Sequence, residues 1–294
     1  MANIFAFCAI VLVNSICLNA RAATPNLAGQ IDRPLRYRPE NGDFVIVNGP
    51  DSFNRSLYGS NTAFRADAGD KPEVSLFLPG RGGTIRFAVK TPSQVKWLHE
   101  SRKIVARYRP GSMVYEISDP AWNDSILQMT ILAIDSVDGV IVKAQFDQSP
   151  EQAEFIAAFG AGNGDRGSRN GDIGTERMPV SQFFAFQPEY ASNSHYQING
   201  RSFDLVRGAL SSTTFPNTDG NSTAAAATTR IAGMFDDGAT LAIADGTKWP
   251  SAADLLGSAG QQTGSPVVIS RAAVKANQPN YAGLQVLASR TATV

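Results

Sequence analysis

Apolar and polar residues alternate with a period of two along most of this chain. Gly83 to Lys90 (GTIRFAVK) sets Ile85, Phe87 and Val89 on one side and Arg86, Ala88 and Lys90 on the other, the pattern of a strand with one buried and one wet face. Comparable runs are Phe44–Val47, Val74–Leu78, Ile104–Arg109, Met113–Ile117, Gly139–Phe146, Arg201–Val206 and Ala239–Ile243. Ile126 to Ile134 is almost continuously apolar, which predicts a strand covered on both faces. Asp138-Gly139, Asn199-Gly200 and Asp237-Gly238 separate such runs. These pairs supply the positive φ of tight turns, so each predicts an antiparallel hairpin. Arg109-Pro110-Gly111-Ser112 predicts another turn. Helical periodicity is confined to Ala252–Ala259, with Ser251 as N-cap and Asp254 at capping-box spacing. Strands at short intervals without intervening helices predict an all-β fold, a large antiparallel β-sandwich.

Two stretches break the pattern. Ser211 to Thr229 is low in complexity and predicts a loop or covering segment. Gly160 to Gly174 (GAGNGDRGSRNGDIG) carries six glycines between strand-like flanks, more than any regular element tolerates. Its Gly162-x-Gly164-x-x-Gly167 spacing opens no helix, so it does not make a dinucleotide site, and no cofactor is expected. Asn163, Asp165 and Asp172 are weak calcium candidates, opposed by Arg166 and Arg169. Two other roles stand beside that one: a loop braced by its own Asp, Asn and Arg side chains, or a loop reaching a partner's active site.

The ends and the charge set further bounds. Ile4 to Val13 is an apolar run followed by Ala20-Arg21-Ala22, which predicts a signal peptide over residues 1–22 and export to the periplasm or beyond. The run is too short to span a bilayer, so no membrane span is expected after cleavage. An uncleaved anchor and lipidation at Cys17 are the competing readings. Both cysteines, Cys8 and Cys17, fall in this segment, so a mature chain over 23–294 holds neither disulfide nor thiol chemistry. Twenty-six basic residues balance twenty-six acidic ones without a basic stripe, which argues against nucleic acid as a partner.

Catalytic signals are sparse. There are two histidines, His99 and His195, and no Gly-x-Ser-x-Gly elbow, which argues against a Ser-His-Asp hydrolase. His195, next to Tyr196, reads as a strand-edge residue facing water. Glycoside cleavage needs two carboxyls, and Asp43, Glu73, Glu116, Asp165, Asp172, Glu176, Glu189 and Asp204 are available, with spacing in space unknown from sequence. Trp122, on an Asp-Pro-Ala-Trp-Asn loop, is the best surface aromatic for stacking on sugar, and Trp249 is expected to pack under the short helix.

Three segments together resemble a known family: Leu35 to Phe87, with FNRSLYGSNTAFR at its centre; the glycine-rich loop with SRNGDIG; and Phe186 to Leu205 (FQPEYASNSHYQINGRSFDL). The combination is similar to an uncharacterised N-terminal domain family of exported Gram-negative proteins that degrade polysaccharides. The resemblance implies a β-supersandwich preceding a six-hairpin α/α toroid, with the catalytic groups in the toroid. Members usually continue for several hundred residues past the position of Val294, so the expectation is either a fragment or a stand-alone sandwich. The function it implies is a non-catalytic accessory domain that packs on the toroid and presents loops to a sugar cleft. A stand-alone hydrolase with a carboxylate pair and a carbohydrate-binding module are the alternatives. Carbohydrate or a C-terminal catalytic domain is thus the expected partner. Asn54, Arg55, Tyr58, Asn61, Arg169, Asn170 and Asp172 are the candidate ligand or domain-interface residues, because they fall in the family-like segments, and Trp122 joins them as the surface aromatic.

Overall fold

A computed structural model describes residues 35–58, 65–77, 82–123, 125–162, 185–207 and 227–291. The strands lie in the unit Tyr37–Val294, and the expected signal peptide falls outside the described residues. In chain order they are β1 (Arg38–Glu40), β2 (Asp43–Val47), β3 (Arg55–Tyr58), β4 (Arg65–Ala68), β5 (Glu73–Phe77), β6 (Gly83–Lys90), β7 (Val95–Trp97), β8 (Lys103–Arg109) and β9 (Ser112–Ser118). Then follow β10 (Ile126–Ala133), β11 (Gly139–Phe146), β12 (Glu154–Ala161), β13 (Ser194–Asn199), β14 (Ser202–Arg207), β15 (Ala227–Phe235), β16 (Thr240–Asp245), helix α1 (Ala252–Gly257), β17 (Pro266–Ala273) and β18 (Asn280–Thr291).

They form two antiparallel sheets, as the alternation predicts. One has ten strands in the order β1-β2-β8-β9-β10-β11-β18-β15-β14-β13. The other runs β16-β17-β12-β6-β5-β4-β3, with β7 paired to β6. The inner faces share one core. Leu127, Met129 and Ile131 of β10 and Val142 and Phe146 of β11 belong to the same apolar cluster as Ile85, Phe87 and Val89 of β6. Rings lock it: Phe87 stacks on Phe155 at 5.7 Å and Phe159 on Phe203 at 5.7 Å. Asn199-Gly200 closes the β13–β14 hairpin, where Gly200 takes φ +61°. His195 sits exposed on β13, an edge strand, as its sequence context suggests.

Three expectations need correction. β10 is covered on one face only: Ile126 and Leu132 stay 39% and 44% exposed because nothing among the described residues packs on that side. The strands buried on both faces are instead in the eight-stranded sheet, where β12 is buried from Phe155 to Ala161. A second apolar cluster covers its outer side, so Ala88 of β6, expected wet, is buried beside Trp97, Trp249 and Leu255 of α1. Ser251 caps that helix, accepting the Asp254 N–H at 3.2 Å, and Trp249 packs beneath it. Finally, Asp237-Gly238 does not close a hairpin. β15 belongs to the ten-stranded sheet and β16 to the other, so this turn, with Gly238 at φ +84°, carries the chain around the sandwich edge. Local turn chemistry fixes the bend and leaves the choice of strand partner to tertiary packing. The low-complexity run ends in strand, since β15 begins at Ala227; residues 208–226 lie outside the described residues.

Candidate functional site

Asn54, Arg55 and Tyr58 lie on or just before β3, the edge strand of the eight-stranded sheet. Asn54 Nδ2 donates to the Tyr37 hydroxyl at 3.0 Å and to Asp70 Oδ1 at 3.3 Å. The Tyr37 hydroxyl donates to the same Asp70 oxygen. Burial, then the neighbouring Asp70, hold the Tyr37 phenol above its usual pKa. Asp70, itself buried, also accepts the Asp51 N–H at 3.1 Å. The Arg55 guanidinium sits 4.2 Å from the Tyr37 ring centre and 5.7 Å from that of Tyr108, and donates to the Asn54 carbonyl. Asn54 and Arg55 thus brace this corner of the sheet, and Tyr58 is 52% exposed. Asn61, Asn163, Asp165, Arg169, Asn170 and Asp172 lie outside the described residues.

Trp122 is not a surface aromatic. Asp119 Oδ1 caps a single 3-10 turn, Pro120–Trp122, by accepting the Ala121 N–H at 3.1 Å, and Asn123 leaves it in the left-handed region. The turn rolls the indole inward, where it is 1% exposed and meets Phe146 edge-on at 5.5 Å. Three of the carboxylates available for a catalytic pair are likewise engaged. Asp43 accepts two bonds from Arg109 at 2.8 and 2.9 Å, which hold its pKa down. Glu73 pairs with Arg86 at 2.9 Å, and Glu116 with Arg107 at 3.4 Å.

An open groove of about 740 Å³ lies elsewhere, where β11, β18 and β15 adjoin the β15–β16 corner and the β17–β18 connection. Its volume is in the range of ligand sites. The register builds its floor. Leu132 of β10 pairs with Ile141 of β11, Ile141 with Gly283 of β18, and Gly283 with Met234 of β15, so these positions make one row on the outward face. Ile141, Met234 and Tyr281 remain 41%, 59% and 45% exposed. Both carboxylate oxygens of Asp236 accept the Tyr281 N–H, at 2.8 and 2.7 Å, tying the corner to β18. Burial, reinforced by adjacent Asp237, pushes the Asp236 carboxyl above the usual aspartate range. On the rim, Arg201 meets Asp237 at 2.6 Å and donates to the Phe235 carbonyl at 3.3 Å. Lys275, Gln278 and Asn280 close the other side.

Sequence reasoning missed this groove, because its walls come from five separate segments. Among the described residues no three His, Cys, Asp or Glu side chains gather as a metal site, and no helix is long and apolar enough to cross a membrane.

No curated protein matches the sequence. Among solved structures, the chain is similar to a family GH92 inverting mannosidase from Bacteroides thetaiotaomicron, with 10% identity and a TM-score of 0.40 over 83% of this chain and 27% of that one. It is also similar to a bacterial glucoamylase complexed with acarbose, with 9% identity and a TM-score of 0.38 over 82% of this chain and 35% of that one. The chain thus spans about a third or less of the length of either. The groove, from Ile141 to Gly283, falls wholly within residues 78–293, which match the model of a domain of unknown function (DUF4450), and the chain belongs to that family.

Proposed function

We propose that this chain is an exported accessory domain of a carbohydrate-active protein. It packs on a helical α/α toroid that follows it and carries the chemistry, and it presents loops to the toroid's sugar cleft. One observation carries the reading: the family-like segment from Leu35 to Phe87 leaves three large apolar side chains open, Phe44 (50% exposed), Val47 (44%) and Tyr58 (52%), while in the same segment Arg55 is held against the rings of Tyr37 and Tyr108. Large apolar side chains left open within one segment suit surface that another domain buries. The arginine-bound states of Asp43 and Glu73 agree, since such carboxylates brace strands.

The test is to express the contiguous downstream coding sequence separately and add it to this chain. The reading expects a helical domain that forms a complex and slows amide exchange across β2 and β3. A downstream sequence without helical content, or a complex-free mixture, refutes it. One observation favours a second reading, a stand-alone glycoside hydrolase: the raised carboxyl of Asp236 lies in the groove next to Asp237, and a raised carboxyl suits a general acid. Reducing-sugar release by the purified chain, abolished in Asp236→Asn, would replace the accessory reading with that one.

A further inference from the structure

The middle of the groove floor has no side chain. Gly283 is registered between Ile141 and Met234, and a Cβ built on it would meet only backbone oxygens of Met234 and Val140, both at 3.9 Å. A trough therefore crosses the ten-stranded sheet between two apolar side chains, with the Tyr281 ring two residues along the same face.

We infer that this trough binds a neutral oligosaccharide, its ring face stacked on Tyr281 and its hydroxyls bonded to the Arg201–Asp237 pair. The inference rests on the carbohydrate role proposed above and adds to it a site and a ligand class. Charge selects the class. Arg201 and Lys275 balance Asp236 and Asp237, so the lining is formally neutral and offers an anionic polymer no net attraction. A paired guanidinium and carboxylate at 2.6 Å present donors beside acceptors, which suits adjacent hydroxyls, each both donor and acceptor. The phenol and the Met234 and Ile141 side chains supply the apolar surface that a sugar ring face covers.

The site is also held in shape before any ligand arrives. Asp236 grips the Tyr281 backbone with both oxygens. The Asn280 side chain, 8% exposed, bonds the Ala273 carbonyl at 3.4 Å, and Arg201 is tied to the Phe235 carbonyl. Little ordering cost is left to binding.

The experiment uses the full chain against immobilised and soluble oligosaccharides cut from β-glucan, mannan and xylan, with oligogalacturonate as the anionic comparison. At least one neutral series should bind, with affinity changed little between about 50 mM and about 0.5 M NaCl, since no net charge is being screened. Tyr281→Ala should weaken it about tenfold, equivalent to about 1.4 kcal/mol, while Tyr281→Phe keeps affinity within about threefold. Gly283→Leu is the sharper variant. Its Cβ meets nothing closer than 3.9 Å, its side chain fills the trough, and it should abolish binding without lowering the unfolding temperature. Binding that survives both Gly283→Leu and Tyr281→Ala overturns the trough and leaves the carbohydrate role standing. Failure of every neutral series, or preference for oligogalacturonate with steep salt dependence, also overturns it. The accessory role fails separately, through the downstream-domain experiment.

Discussion

Replacing Trp122 with alanine should cost stability and leave glycan binding alone. The indole is 1% exposed and fills the space between the 3-10 turn Pro120–Trp122 and the Phe146 ring of β11, so truncation removes a large apolar surface and opens a void. Buried tryptophan-to-alanine changes cost about 3–5 kcal/mol. The edge-to-face pairing with Phe146 accounts for about 0.5–1.5 kcal/mol of that. For a chain of this size each kcal/mol moves the midpoint by about 2–4 °C, so the expected drop is roughly 6–20 °C. The assay is thermal and urea unfolding followed by both far-ultraviolet dichroism and tryptophan fluorescence. The two probes must coincide for the free energies to be used. A double-mutant cycle with Phe146→Leu should return a coupling of about 0.5–1.5 kcal/mol. A loss below about 1 kcal/mol would mean that the site collapses around the missing ring or that the indole is not buried. Weakened glycan retention at unchanged stability would refute the burial outright.

Three further outcomes are expected. Gly233→Ala places a Cβ into the Phe203 ring inside the core, so it should destabilise by about 1–3 kcal/mol in urea, whereas Gly283→Ala on the open face should be nearly silent. His99 has its pKa lowered below 6.5, first by burial, although Glu73 lies 3.2 Å away. The unfolded chain takes up that proton more readily, so stability should fall as pH drops below 6.5, and His99→Phe should flatten that limb of a pH–stability curve. Glu154 is buried at a cost, but bonds from Arg271 and then Lys90 outweigh it and hold its pKa below the ordinary 4.5. Its contribution is complete above pH 4.5 and is lost as pH falls through the lowered value, so Glu154→Gln should shrink the acid-side slope of stability.

Period two was enough to read the sandwich. Strand β6, the hairpin at Asn199-Gly200 and the Ser251 cap each follow from rules acting within a few residues, and such rules do not depend on what packs above them. Burial of the second face does depend on it. Ile126–Ile134 and Glu154–Ala161 look alike as apolar stretches, yet one strand is half open and the other closed. The difference is that Trp97, Trp249 and α1 lie over the eight-stranded sheet, and no local pattern states which sheet they will cover. The inward turn of Trp122 escapes the sequence for a related reason: Asp-Pro-Ala-Trp-Asn announces a turn without saying which way the turn faces.

The candidate site shows the same limit more severely. Arg201, Met234, Asp237 and Tyr281 are separated by up to eighty residues, and each alone looks like an ordinary surface position. They meet because β18 is inserted between β11 and β15, joining the last strand to two hairpins formed earlier in the chain. That insertion sets Gly283 between Ile141 and Met234, and a one-residue slip would turn Tyr281 and Gly283 into the core and bring Ala282 and Leu284 out. Burial of Ala282 and Leu284 at 2% and 3% therefore does two things at once: it pins the register thermodynamically, and by pinning it holds the trough open on the other face.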